Sequence, residues 1–193
     1  MINKHWRNFG LLMTTTTIVL ILTICGVNNL TNPPTIDTPL NNKPKLAKNF
    51  SISFYNDNDL LIDNETSFYT LLQNDKPIVL NLWAGLCPPC RAEMPEMEEV
   101  YQEYGDRIIL FGLDLGPFMG LGNVHDGQAL VNEFGISYPT GTTDDSDVIY
   151  DYKILGLPTT LFINSNREIT RSWTGLIHKE KLAQLIEDLI ESN

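Results

Sequence analysis

Apolar positions cluster in short blocks along this chain, and the clearest block is 78–83, where Ile78, Val79, Leu80, Leu82 and Trp83 are interrupted only by Asn81. A continuous apolar run of that length predicts a strand covered on both faces of a sheet. Residues 107–113 (RIILFGL) predict a second such strand. Between them a helix is expected to continue past Cys90 to about Tyr104, with Gly105 as its stop and Pro95 inside it, where the missing N–H should produce a kink. Ahead of these elements, 50–55 alternates weakly and predicts a strand, 60–62 a second short one, and 65–73 a helix capped by Asp63 or Asn64. Beyond them, the glycines and prolines of 116–127 are expected to exclude a regular element. A helix over 128–134 stopped by Gly135, an edge strand over 136–140 and a helical turn over 147–152 follow. Residues 159–164 and 168–173 predict a hairpin across Ser165, Asn166 and Arg167. The last helix, 178–190, places Leu182, Leu185, Ile186 and Leu189 on one face. The order βα, βα, ββα predicts a three-layer α/β domain around a mixed sheet, without internal repeats.

The N-terminal part has a different character. Lys4 and Arg7 precede an uncharged segment, 9–27, long enough to cross a bilayer, although Thr14 to Thr17 dilute its hydrophobicity. No small-x-small cleavage site precedes Asn28, so an uncleaved signal anchor is expected, with 1–8 in the cytoplasm and the domain outside. Leu22-Thr23-Ile24-Cys25 resembles a lipobox but has Ile24 where Gly, Ala or Ser is expected, which makes a lipoprotein the second reading and a cleaved signal the third. Residues 28–48, rich in Asn, Thr and Pro, are expected to be an extended tether, leaving 49–193 as one globular domain. A chain of 193 residues with 42% hydrophobic content can bury one sizeable core. With Lys4 and Arg7 set aside, 11 basic residues face 24 acidic ones after Val27, a net charge of −13 that argues against nucleic acid and anionic lipid as partners.

The candidate chemistry lies at Cys87-Pro88-Pro89-Cys90, where the first predicted strand gives way to the helix. The partial positive charge of a helix N-terminus favours a thiolate, and a Cys-x-x-Cys pair can close a small disulfide ring. Half of a structural zinc site is the alternative, but it needs two further ligands. Cys25, His5, His125 and His178 are scattered, so the redox reading is favoured.

The run W-A-x-x-C-P-P-C-R-A-E-M-P, with G-L-P-T-T-L-F-I-N and W-T-G some seventy residues later, resembles the TlpA/ResA-like branch of the thioredoxin superfamily over roughly 49–190. The resemblance implies a thioredoxin-like fold and a membrane-tethered, extracytoplasmic thiol:disulfide oxidoreductase that needs no cofactor. It implies that Cys87 is the exposed, attacking cysteine and Cys90 the resolving one. It further implies that Pro158 follows a cis peptide bond and faces the disulfide, and that Glu93 lies near the active site. Read only as residues, Gly156-Leu157-Pro158 is a turn before a strand, and Glu93 a solvated helix residue beside Glu96, Glu98 and Glu99. Near Cys90, a Glu93 carboxylate would oppose thiolate formation. Asn81 stands where cytoplasmic thioredoxins carry a buried aspartate, and Trp83 is expected to be both core and partial lid. Gly85-Leu86 departs from the family pattern, in which a Trp commonly precedes the first cysteine, so the surface met by a partner differs. His125 is expected on an exposed loop.

By the same resemblance the protein is expected to be a monomeric reductant of protein thiols and disulfides, with apocytochrome c as an example and a membrane thiol carrier as electron donor. Two rivals stand beside it. A peroxiredoxin-type thiol peroxidase needs Thr-x-x-Cys, and Ala84 does not supply the threonine. A copper-binding assembly factor would use Cys87, Cys90 and a histidine such as His125, although its relatives space the cysteines by three residues.

Overall fold

The computed structural model describes residues 35–39, 45–56, 65–73 and 75–193. The segment 9–27, Cys25, His5, the strand expected at 60–62 and the caps Asp63 and Asn64 lie outside the described residues. Among the described residues, no helix is long and apolar enough to cross a membrane.

In chain order the elements are β1 (Ile36–Pro39), β2 (Lys45–Leu46), β3 (Ser51–Phe54), β4 (Glu65–Ser67), α1 (Phe68–Leu71), β5 (Ile78–Trp83), α2 (Pro88–Tyr104), β6 (Ile109–Asp114), α3 (Gly116–Met119), α4 (Val124–Phe134), β7 (Thr140–Thr142), α5 (Asp147–Asp151), β8 (Thr159–Ile163), β9 (Glu168–Thr174) and α6 (Lys179–Glu191). They build one mixed sheet of order β1-β9-β8-β5-β6-β7-β3-β4, with β2 also on β9. β5 is its centre, parallel to β6 and antiparallel to β8.

All six residues of β5 are buried, as are those of β6, because both sheet faces are covered. Strand alternation sends Ile78, Leu80 and Leu82 into one core with Phe68, Phe111 and Tyr152. It sends Val79 and Trp83 into the other, with Met94 and Met97 of α2 and Leu182, Leu185 and Ile186 of α6. Asn81 shares that second face, which decides its role below. Trp83 is wholly buried, so it is core and not a lid.

Four local expectations are corrected. Residues 36–39 and 45–46, expected in a tether, pair antiparallel with β9, Ile36 opposite Thr174 and Lys45 opposite Ile169. The ladder needs only backbone groups, so a polar, proline-containing sequence can add to an edge, and Arg171 grips both Asp37 carboxylate oxygens at 3.1 and 2.9 Å. Residues 65–67, expected in a helix, pair with β3, and only 68–71 turn helical, because an available strand edge outweighs a weak helical pattern. The stretch 116–127 holds α3 and the start of α4. Asn123 there accepts the His125 and Asp126 amides while Asp126 accepts the Asn123 amide, a capping box that outweighs Gly127. The strand expected at 136–140 sits instead at 140–142, and it is no edge, lying between β6 and β3.

Candidate active site

Cys87 is the N-cap of the 17-residue helix α2, and Pro88 and Pro89 occupy its first two positions. Neither proline carries an amide hydrogen, so the first N–H of the helix belongs to Cys90, and it donates to Cys87 Sγ at 3.4 Å. Sequence and geometry thus aim the helix terminus at a single sulfur. Cys87 and Cys90 are joined in a disulfide, with Cys87 3% exposed and Cys90 not at all. Cys87 is thus only slightly the more exposed of the two, and in the disulfide it is far less exposed than the attacking role implied. Leu86 before it is 61% exposed, which leaves an apolar residue on the surface beside the disulfide.

Pro158 follows a cis peptide bond, as the resemblance implied. The register of β8 on β5 sets Thr159 opposite Leu82, which brings Pro158 level with Trp83, where the chain leaves the sheet for Cys87. The W-T-G motif supports this loop: Gly175, at φ 102°, donates its amide to the Pro158 carbonyl at 2.9 Å.

Glu93 is wholly buried, so the solvated reading is overturned. It stands three residues after Cys90 on the same helical face. One carboxyl oxygen accepts Asn81 Nδ2 at 2.8 Å and the other accepts the Ile177 amide at 3.1 Å. Asn81 also donates to Thr160 Oγ1 across the β5–β8 pair at 3.2 Å. Burial pushes the Glu93 pKa up to about 8, against the lowering by Asn81 and Ile177, with Glu96 adding a smaller upward push. At neutral pH most molecules therefore hold Glu93 as the acid. The expected opposition of a Glu93 charge to thiolate formation near Cys90 is thereby small at pH 7 and grows as pH passes 8.

A second buried carboxyl escaped the sequence reading. Asp114 ends β6 opposite Trp83, accepts the Tyr55 hydroxyl and the Gly116 amide at 2.8 Å each, and is wholly buried. Burial raises its pKa; the Gly116 amide and Tyr55 hydroxyl oppose this, Asp126 adds to it, and the Gly85 amide also opposes it. Asp114 thus ties the turn before Cys87 to β6 and to the start of α3. The packing there is close enough to require glycine: a Cβ on Gly85 would lie 2.6 Å from the Gly127 nitrogen, and one on Gly127 would lie 2.0 Å from Asp114 Oδ2. Gly127→Ala is accordingly expected to destabilise the fold by about 2 kcal/mol, measured by denaturant unfolding, since neither a carboxyl so held nor the helix can yield freely. An acidic residue closing an apolar run was the available sequence signal; its partners Tyr55 and Gly85, distant along the chain, were not.

His125 is exposed in the first turn of α4, on a helix and not on a loop. Among the described residues, no three His, Cys, Asp or Glu side chains are grouped to hold a metal ion, so the copper reading finds no third ligand there.

A disulfide at a helix N-terminus, level with a cis-proline at the end of the central strand of a mixed sheet, defines a thioredoxin-fold dithiol site. Residues 45–172 match the AhpC/TSA family. The chain is 33% identical over 112 residues to the thiol-disulfide oxidoreductase ResA of Halalkalibacterium halodurans, covering 58% of this chain and 61% of that one. It is 34% identical over 117 residues to ResA of Oceanobacillus iheyensis, covering 59% and 57%. The chain thus spans about six tenths of the length of these curated relatives. A crystal structure of a DsbF homologue from Corynebacterium diphtheriae superposes with a TM-score of 0.61 at 18% identity, covering 83% of this chain and 96% of that one, which bears on the fold. The chain belongs to the AhpC/TSA family and, among thioredoxin-like proteins, to the TlpA/ResA-like branch.

Proposed function

We propose that this protein is an extracytoplasmic, membrane-anchored thiol:disulfide oxidoreductase acting as a reductant of partner proteins. The observation that carries the proposal is the Cys90 amide aimed at Cys87 Sγ in a paired Cys-x-x-Cys, because it stabilises a thiolate on the more accessible sulfur. In the reduced protein the Cys87 thiolate attacks one sulfur of the partner disulfide and the other partner sulfur leaves as thiolate, which takes up a proton. A mixed disulfide results. Cys90 loses its proton and attacks Cys87 Sγ, closing Cys87–Cys90 and releasing the second partner thiol. The partner gains two electrons and two protons. A dithiol donor of the membrane must return them before the next cycle.

Residues have distinct parts in this sequence. Pro158 and Leu157 present a backbone edge that an extended partner segment can pair with. Glu93, neutral at pH 7 and next to Cys90 on α2, is a positioning residue that holds charge away from the pair until alkaline pH. Lys4, Arg7 and the apolar segment 9–27 support the anchor and the orientation. The resemblance to TlpA/ResA-like proteins supports apocytochrome c as a partner. A peptide with an oxidised C-x-x-C-H haem-attachment sequence tests this: the reduced protein should open its disulfide, with free thiols appearing as Cys87–Cys90 forms. Rapid reduction of a small aromatic disulfide with no action on that peptide would remove the cytochrome reading. Peroxidase action is not supported, since Ala84 offers no hydroxyl three residues before Cys87.

A further inference from the structure

A groove of about 770 Å³ opens beside the segment that leads into the cis-proline, walled by Phe118, Ile149, Tyr150 and Leu155. Tyr150 and Leu155 are each 85% exposed, a large apolar surface for a protein with so acidic a composition. Three lysines, Lys45, Lys48 and Lys153, border the groove against one carboxylate, Asp151, which pairs with Lys48. In a chain of net charge −11, this is a local excess of positive charge next to apolar walls.

Two of the lysines are placed at a cost. Lys153 has φ 55° and follows α5 in the position where glycine is usual; its amide donates to Tyr150 O and that of Ile154 to Ile149 O, closing the helix end. Lys45 has Tyr152 beneath it at 5.9 Å from the ring centre. Burial and then Lys153 draw the Lys45 pKa below its ordinary value, with Asp151 opposing and Lys48 adding to it. Among the described residues no carboxylate forms an ion pair with Lys45 or Lys153, so an incoming anion would find unmet charge there.

We propose that this groove docks an acidic, apolar segment of the partner protein, adjoining the disulfide that Cys87 attacks. The inference rests on the oxidoreductase reading and adds the chemistry of the partner to it. Leu155 is three residues from Pro158, at most about 11 Å of chain, so one continuous partner segment can reach from the cis-proline edge into the groove. Leucine or aromatic side chains would cover Tyr150 and Leu155, while Asp or Glu between them would face Lys45 and Lys153.

The test uses the full chain, reduced, and peptides with the same disulfide-closed C-x-x-C followed or preceded by a six-residue tail. One tail alternates leucine with aspartate, the other leucine with lysine. The protein's overall charge would favour the lysine tail, whereas the groove favours the aspartate tail, so the ranking is decisive. The second-order rate constant of reduction should be about tenfold higher with the aspartate tail and the gap should shrink with added salt. Lys45→Glu with Lys153→Glu should invert the order. Lys45→Gln with Lys153→Gly, which removes both charges and relieves the backbone, should abolish the preference while the unfolding midpoint stays at or above that of the parent. A faster lysine tail, or a preference that survives the neutral variant, would overturn the proposal. Failure to reduce even a small aromatic disulfide would instead overturn the oxidoreductase reading, and this inference with it.

Discussion

Cys87→Ser is expected to abolish disulfide reduction, whereas Cys90→Ser is expected to retain the first step and stop after it. The separation follows from the helix terminus. Cys87 receives the only N–H that the prolines leave at the start of α2, and it has the exposed fraction of the pair. Cys90 is fully buried and can act only on Cys87 Sγ once that sulfur is bound to the partner. With Cys87→Ser, turnover against a small disulfide is expected to fall by at least about a thousandfold, since serine offers no comparable nucleophile near neutral pH. With Cys90→Ser, mass spectrometry should find the protein covalently joined to its substrate through Cys87. Undiminished turnover in Cys87→Ser would sink the mechanism.

The pH dependence of stability is expected to change most with Glu93→Gln. The Glu93 pKa is raised in the folded state to about 8 by burial, from an ordinary value near 4.5. A carboxyl raised this way contributes its full stability below about pH 4.5, where both states are protonated, and loses it as pH rises toward 8 and the unfolded chain ionises first. A tenfold difference in proton affinity between the two states corresponds to about 1.4 kcal/mol, so the loss across this window is on the order of 4 kcal/mol. Glutamine cannot ionise, and Glu93→Gln should therefore show a flatter profile and gain stability relative to the parent between pH 5 and 8. Asp114, also raised by burial, adds a slope of the same sign that the substitution leaves in place. Denaturant midpoints across pH 4 to 9 for both proteins measure the difference. Parallel profiles would show that Glu93 is not held neutral. The activity profile supplies a second readout: the rise of Cys87 reactivity with pH should be damped as the Glu93 charge forms near pH 8, and less so in the glutamine variant.

The elements with strong local periodicity were readable from the chain itself. β5 and β6 are continuous apolar runs, and α6 carries its leucines at helical spacing, so local pattern and tertiary burial agree. The misread segments are those whose conformation depends on distant partners. β1 and β2 exist by pairing with β9, more than a hundred residues away, and β4 by pairing with β3. The α4 start depended on a capping box that its glycines concealed.

The site divides in the same way. Cys87 and Cys90 announced themselves, because two cysteines with prolines between them at a strand-to-helix junction admit few uses. Glu93 was obscured by its neighbours Glu96, Glu98 and Glu99, yet helical spacing separates it from them: Cys90, Glu93, Met97 and Val100 share the buried face of α2. Asp114 was not legible as part of the site, since Tyr55, Gly85, Gly116 and Gly127 meet it only in the folded chain.

The central claim is that Cys87 and Cys90 form a reversible couple poised to give electrons away. Equilibration of the purified protein against thiol–disulfide buffers of graded potential, with alkylation and mass measurement of the free cysteines, tests it directly. The expected result is a single two-electron transition of Cys87–Cys90 with a midpoint at or below about −230 mV, in the range of thioredoxins and glutaredoxins. A pair that never titrates, or one with a midpoint near the roughly −120 mV of strong disulfide oxidants, would contradict it.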